Sequence, residues 1–182
     1  KGYFALKLMG DLAMRQHEPR RADGYYRKAR LRFRQAGKSI SAAGVTTLLA
    51  AAQLSDGRPD EAADVLTDAR QTIDSETHPV LRARIDARLG EALNRLAEFD
   101  GGAELLEETA REFADSRWPD EQRSVCFSAA TASLGRGDLD AAERYVERGC
   151  EFQDYGAGIS AQTCALSNVD VLAARGDLDA AA

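Results

Sequence analysis

Apolar side chains recur along this chain at helical rather than strand spacing. In residues 19–36, Ala22, Tyr25, Tyr26, Ala29, Phe33 and Ala36 fall on one stripe of a helix. Residues 79–97 carry three faces. Leu81, Ile85, Leu89, Leu93 and Leu96 form an apolar face. Ala83, Ala87, Gly90 and Ala97 form a small-residue face that lets a neighbouring helix approach. Arg84, Arg88, Glu91 and Arg95 form a polar face. Two packing faces are what an interior helix of a stack needs, whereas a helix in a simple hairpin needs one. Extended along the chain, the pattern predicts first helices at about 3–16, 39–55, 79–97, 119–135 and 158–175. Second helices are expected at about 19–36, 59–74, 100–115 and 138–153, with a fifth starting at 178.

The helices come in repeating pairs. Arg136-Gly137-Asp138-Leu139-Asp140-Ala141-Ala142 recurs as Arg175-Gly176-Asp177-Leu178-Asp179-Ala180-Ala181, 39 residues on. Weaker copies place anchor alanines at Ala22, Ala62, Ala103, Ala141 and Ala180, in steps of 40, 41, 38 and 39. A fixed period of this size means stacked supersecondary units, each burying its apolar face on the next. The expected units are about 1–37, 38–76, 77–117, 118–156 and a truncated 157–182, forming one array cut from a longer protein. Within each pair the turn carries Gly or Pro: Gly57-Arg58-Pro59, Gly101-Gly102, Gly135-Arg136-Gly137 and Gly176. Glycine is expected to end the first helix, and the Asp that follows to cap the second. Turns between units are expected to be longer, around Gly37, His78-Pro79, Trp118-Pro119 and Gly156-Ala157-Gly158.

Composition agrees with an all-helical chain. Hydrophobic residues make up 44%, enough for a core, and there are only 4 prolines. Only Lys1, Lys7, Lys28 and Lys38 are lysines, so arginine dominates the cations; with the abundant alanine, this suggests a GC-rich bacterial source. No apolar run approaches the ~18 residues of a membrane helix. Cys126, Cys150 and Cys164 lack metal-ligand or redox-motif spacing and read as three small core residues in a reducing compartment, which points to the cytoplasm. The net charge of −6 is unevenly spread. Residues 1–40 hold 11 Lys/Arg against 3 Asp/Glu, and residues 41–182 hold 13 against 27.

The pattern resembles tetratricopeptide repeats. Met9-Gly10 and Leu89-Gly90 match the Leu-Gly-like pair of that signature's first helix. Ala22/Ala29, Ala62/Ala69 and Ala103/Ala110 match its seven-residue spacing of small residues, and Pro79 and Pro119 its closing proline. The period is longer than the usual ~34 residues, and Ser128-Ala129 and Ser167-Asn168 replace the Leu-Gly pair. In this the chain is similar to the long, degenerate repeats of bacterial regulators, such as MalT-like activators and CHAT-protease-associated arrays. The resemblance implies an all-α solenoid of antiparallel helix pairs wound as a right-handed superhelix. It also implies a concave surface, lined by first helices, that holds peptides or partner helices.

On that surface the polar face Arg84, Arg88, Glu91 and Arg95 is expected. Counting back fifteen and eleven residues from Ala22 adds Lys7 and Asp11, and fifteen from Ala62 adds Thr47. The Lys/Asn carboxylate clamp of chaperone-binding relatives is absent, because Asp11 stands where Asn is expected. A self-paired arginine face explains these helical charges equally well. A second surface is the basic stripe Arg20, Arg27, Arg30 and Arg34, flanked on its other edge by Arg21, Lys28 and Arg32. Such a stripe can meet nucleic-acid phosphates. Its aromatics Tyr25, Tyr26 and Phe33 lie on the core stripe, where they are not free to stack on bases. A solvated face, or docking to an acidic neighbour, are the plainer alternatives.

Nothing here forms a catalytic constellation, a metal site or a cofactor loop. His17-Glu18 opens like a zinc-protease helix, but the residue four on is Arg21 rather than His. Gly156-Ala157-Gly158 follows no strand. The two Arg-Gly-Asp tripeptides fall where the repeat wants a turn glycine and a capping Asp. The function expected is therefore a protein- or peptide-binding scaffold within a larger bacterial regulatory protein. The alternative is a ligand-sensing or signal-relay segment of a transcriptional regulator, and nucleic-acid contact through the basic unit ranks third. Self-association is expected through the uncovered face Ala165, Val169 and Leu172, aided by the opposite charges of the two ends.

Overall fold

The computed structural model describes residues 2–112, 119–151, 164 and 170–176. The elements are α1 (Tyr3–Arg15), α2 (Pro19–Gln35), α3 (Ser39–Ser55), α4 (Pro59–Thr72), α5 (Pro79–Arg95), α6 (Phe99–Glu112), α7 (Pro119–Arg136) and α8 (Leu139–Cys150). Residues 170–175 are also helical. Among the described residues there is no strand. The first four expected helix pairs are present, and their described ends lie within three residues of the expected ones. The rest of the expected 158–175 helix, apart from Cys164, and the helix starting at 178 lie outside the described residues, as do Ala165 and Val169 of the face expected to self-associate; Leu172 of that face is helical and half-buried.

One turn geometry accounts for most of the connections. Positive φ occurs at His17, Gly37, Gly57, Ala97, Gly137 and Gly176. In the first five turns the next amide reaches back five residues: Glu18 N–H to Ala13, Lys38 to Phe33, Arg58 to Gln53, Glu98 to Leu93 and Asp138 to Ser133, each at 2.9 Å. This is the Schellman closure of a helix C-terminus. The residue after the left-handed one then starts the following helix, its carbonyl accepting from Ala22, Ala42, Ala62, Gly102 and Ala142 respectively. Two residues therefore suffice to reverse the chain. The geometric repeat is a half-unit of about twenty residues, and turns within and between pairs can be the same.

That geometry corrects three expectations. The connection at Gly37 is as tight as those inside pairs; the longer one lies between α4 and α5. Gly101 and Gly102 lie inside α6, and Ala97 takes the left-handed position instead. Asp60 and Asp100 sit in the first turns of α4 and α6 rather than at caps, because Arg58 already occupies the cap of α4 and α6 opens at Phe99. Among the described residues the expected cap forms at α8, where Asp138 accepts from the Ala141 N–H at 3.0 Å.

The chain divides into two compact blocks, Lys1–Ala92 and Leu93–Ala182. In the first, the α2 stripe Ala22, Tyr26, Ala29 and Phe33 packs between Ala13 of α1 and Ala42, Val45, Leu49 and Ala52 of α3. Gly10 permits the closest approach: a Cβ there would collide with the Tyr26 ring. The Tyr26 hydroxyl donates to Asp11 at 2.9 Å. The longer α4–α5 connection is tied down by Asp86, which accepts from Arg70 and Arg82 at 2.8 and 2.9 Å, while Arg82 also donates to the Ile73 carbonyl. In the second block, Ala130 of α7 meets Ala142 and Val146 of α8 and Val171. Gly135 does for Phe99 what Gly10 does for Tyr26.

The cysteine expectation fails for two of three residues. Cys150 and Cys164 are joined as a disulfide with Cα atoms 5.7 Å apart. Cys126 alone is free and buried.

Candidate functional site

Three first helices of the first block, α1, α3 and α5, line a cleft of about 420 Å³. Lys7, Thr47 and Arg84, all selected from sequence, border it together. Sequence reasoning missed its apolar walls: Phe4, Leu48 and Leu81. Phe4, Gly44 and Arg84 stand forty residues apart, so one register position of three successive first helices builds the cleft. The missing side chain at Gly44 leaves the middle open; a Cβ there meets nothing within 4 Å. Phe4 is 58% exposed, and its ring packs edge-on against Phe33 at 5.4 Å between centroids.

The polar groups are partly committed to each other. Lys7 Nζ donates to Asp11 at 2.7 Å, and Asp11 also holds Tyr26, so its carboxylate ties α1 to α2 as well as facing the cleft residue. Thr47 donates to the Gly44 carbonyl at 2.8 Å. Arg88 pairs with Glu91 at 2.6 Å, one turn along α5 from Arg84. Arg95 is exposed and belongs to the second block. The cleft thus offers an apolar floor with cationic groups at its rim, Lys7 and Arg84. Among the described residues no cluster of His, Cys, Asp and Glu could hold a metal ion.

Two residues of the basic stripe of α2 are paired inside the chain. Arg20 reaches Asp56 at 3.0 Å, and Arg27 pairs with Asp23 at 2.8 Å and with Glu61. Arg30 is half-buried, and burial beside Arg34 and Arg27 lowers its pKa. Arg34 is exposed. Docking to acidic neighbours therefore describes Arg20 and Arg27.

The same clasp recurs with inverted sign. Asp56 ends α3 and takes a cation from α2. Arg136, eighty residues on, ends α7 and takes an anion, Glu107 of α6, at 3.1 Å. Arg175 takes Asp140 and Glu143 of α8 at 2.7 and 2.8 Å. Every residue of Arg136-Gly137-Asp138 thus serves the fold. Arg136 closes the clasp, Gly137 makes the left-handed turn and Asp138 caps α8.

A larger hollow of about 630 Å³ lies against Ala5, Leu6 and Met9 of α1. Forty residues on, Val45, Thr46 and Leu49 are buried. Of its lining Met9 is exposed, and Leu8 and Leu12 of the same helix are exposed as well. No helix of the described residues is long and apolar enough to cross a membrane.

No family model matches the chain, and no curated protein does. Solved structures do. A single-substitution form of a putative kinesin light chain from Podosopora anserina, with nearly identical TPR-like repeats, superposes with a TM-score of 0.77 at 19% identity, over 100% of this chain and 91% of that one. Another structure of that protein gives 0.74 at 18% identity, over 97% and 88%. BtubC (BKLC) from P. vanneervenii gives 0.74 at 22% identity, over 97% and 74%. The fold is therefore a TPR-like helical-repeat solenoid, as the sequence pattern implies.

Proposed function

We propose that the protein is a protein-interaction scaffold and that the α1–α3–α5 cleft is where its partner docks. The observation that carries this is the convergence of Phe4, Leu48 and Leu81 with Lys7 and Arg84 around one opening. An extended peptide or helix edge would seat an apolar side chain on the floor and a carboxylate, from Asp, Glu or a chain terminus, at the cationic rim. The cleft is too open for a small metabolite to be enclosed, and no nucleophile–base pair is found among the residues that line it, so binding rather than catalysis is its chemistry. In a larger bacterial protein such a segment would serve a regulatory role, recruiting or sensing a partner.

Selection of a random displayed peptide library on the folded protein tests this. Enriched sequences should pair an apolar residue with a neighbouring acid. Their affinity should fall at least tenfold for Lys7→Glu combined with Arg84→Glu, with helical circular dichroism unchanged. Enrichment of sequences without acids, or binding indifferent to those substitutions, would remove the cleft as the docking site.

A further inference from the structure

We propose that Gly44 is the specificity-determining residue of the cleft: the space left by its missing side chain admits one bulky apolar side chain, of Leu, Met or Phe size, from an extended peptide segment of a partner protein. The α1–α3–α5 cleft as docking surface is the reading on which this rests; Gly44 adds which side chain is taken and what limits its size.

Gly44 is the sixth of the 17 residues of α3. A glycine so far inside a helix lowers stability relative to alanine, because it orders more backbone entropy. The same helix uses alanine at Ala42, Ala43, Ala50, Ala51 and Ala52. Among the described residues no neighbour demands the exchange of alanine for glycine. Gly10 and Gly135 make room for the rings of Tyr26 and Phe99, whereas a Cβ at Gly44 meets nothing within 4 Å. Gly24 and Gly101 are as unhindered, but they lie in α2 and α6 and do not line the cleft.

The space at Gly44 is walled by apolar groups. Phe4 of α1 and Arg84 of α5 flank it at the same register position, and Phe33, Val45, Leu48 and Leu81 complete the lining around it. Val45 is buried and Leu48 half-buried, so this wall is anchored in the core. The Thr47 hydroxyl donates to the Gly44 carbonyl at 2.8 Å, which satisfies that donor inside α3. The lining includes two cations, Lys7 and Arg84, and no carboxylate. That charge favours a peptide whose apolar anchor stands beside an acid.

Filling the space therefore acts with opposite signs on folding and on docking. A side chain at position 44 strengthens the helix and occupies the place of the partner's anchor. Burying one Leu-sized side chain is worth roughly ten- to hundredfold in affinity, and Gly44→Leu should forfeit it.

The test selects a displayed random peptide library in parallel on the full chain as wild type, Gly44→Ala, Gly44→Leu and Gly24→Ala. Selected peptides are titrated on each protein, and thermal unfolding is followed by circular dichroism. Wild type and Gly24→Ala should enrich the same bulky apolar anchor. Gly44→Ala should raise Tm by about 1–4 °C and still weaken the wild-type peptides severalfold. Gly44→Leu should weaken them at least tenfold, and its own selection should shift to Gly, Ala or Ser at the anchor. Cutting the peptide anchor back to Ala should reduce affinity for wild type and change it little for Gly44→Leu, so the two changes are coupled. If Gly44→Leu loses helicity, the coupling is read on Gly44→Ala, and its absence there overturns the inference. Equal affinity of wild type and Gly44→Leu for the selected peptides overturns it too, and leaves the cleft as docking surface if Lys7→Glu with Arg84→Glu still abolishes binding. Indifference to all these substitutions, or a library that enriches nothing on the wild type, overturns both.

Discussion

Gly10→Ala and Gly24→Ala are chemically the same substitution inside neighbouring helices, yet the structure gives them opposite signs. Helix propensity alone favours both, by roughly 0.5–1 kcal/mol each, since alanine orders less backbone entropy than glycine. At Gly24 nothing lies within 4 Å of the new Cβ, so that gain should survive. At Gly10 the new Cβ falls within 2.8 Å of three Tyr26 ring carbons. Tyr26 cannot turn away: it is 2% exposed in the core, and its hydroxyl is held by Asp11. α1 must instead retreat by about 1 Å, and overpacking of this kind costs about 1–3 kcal/mol. Because the outer side of α1 is uncovered, with Leu8 and Leu12 exposed, retreat is easier than in a closed core, so the lower half of that range applies. The net expectation is destabilisation of about 1 kcal/mol for Gly10→Ala and stabilisation of about 0.5–1 kcal/mol for Gly24→Ala. For a chain of this length, about 1 kcal/mol moves Tm by roughly 2–4 °C. Thermal unfolding followed by circular dichroism should therefore separate the two variants by about 3–8 °C. Placing Gly10→Ala in a Tyr26→Leu background should turn its sign to stabilising. If Gly10→Ala raises Tm in the wild-type background, the Gly10–Tyr26 approach is not what fixes α1 on α2.

Ala97→Gly should stabilise the protein by about 0.5–1 kcal/mol in urea unfolding, because φ +60° strains an alanine and not a glycine; a loss of stability would show that the α5–α6 turn is not left-handed. Asp56→Arg should lower stability by setting like charges against Arg20, and adding Arg20→Asp should recover most of the loss; a double-mutant cycle without positive coupling would refute the clasp. Burial and the Asp11 bond raise the Tyr26 pKa above the ordinary tyrosine value of 10.0. Its contribution is thus present below pH 10 and lost as pH rises through the raised pKa. Tyr26→Phe should cost about 1 kcal/mol at pH ~7, and absorbance titration at about 295 nm should show one fewer late-ionising tyrosine in that variant.

The anchor alanines made the array legible. Ala22, Ala62, Ala103 and Ala141 are all buried, because each sits where the start of a second helix is pressed against its first. A larger side chain there would separate the pair, so the repeat is written in small residues. The twenty-residue half-period was hidden because two of its turns use His17 and Ala97, which are not turn formers, while Gly101 and Gly102 advertise a turn a few residues too late. The Schellman bonds and helix packing impose the left-handed residue there, and local propensity has no vote. In the cleft, Lys7, Thr47 and Arg84 could be found by counting along the repeat. Phe4, Leu48 and Leu81 could not, since an apolar residue on a helix reads as core until its neighbours are known. The structural half of Asp11's role depends on Tyr26 of the next helix, fifteen residues away. The Cys150–Cys164 pairing spans two helices and leaves no local spacing signal.

The claim that the α1–α3–α5 cleft is the docking surface is tested most directly by placing a photo-reactive amino acid at Ser41, which borders the cleft, and separately at Asp64, exposed on the second helix α4. With a library-selected acidic peptide bound, irradiation should join peptide to protein from Ser41 and not from Asp64, and excess unlabelled peptide should abolish the product. Cross-linking from Asp64 with none from Ser41 would place the partner on the second helices and contradict the claim.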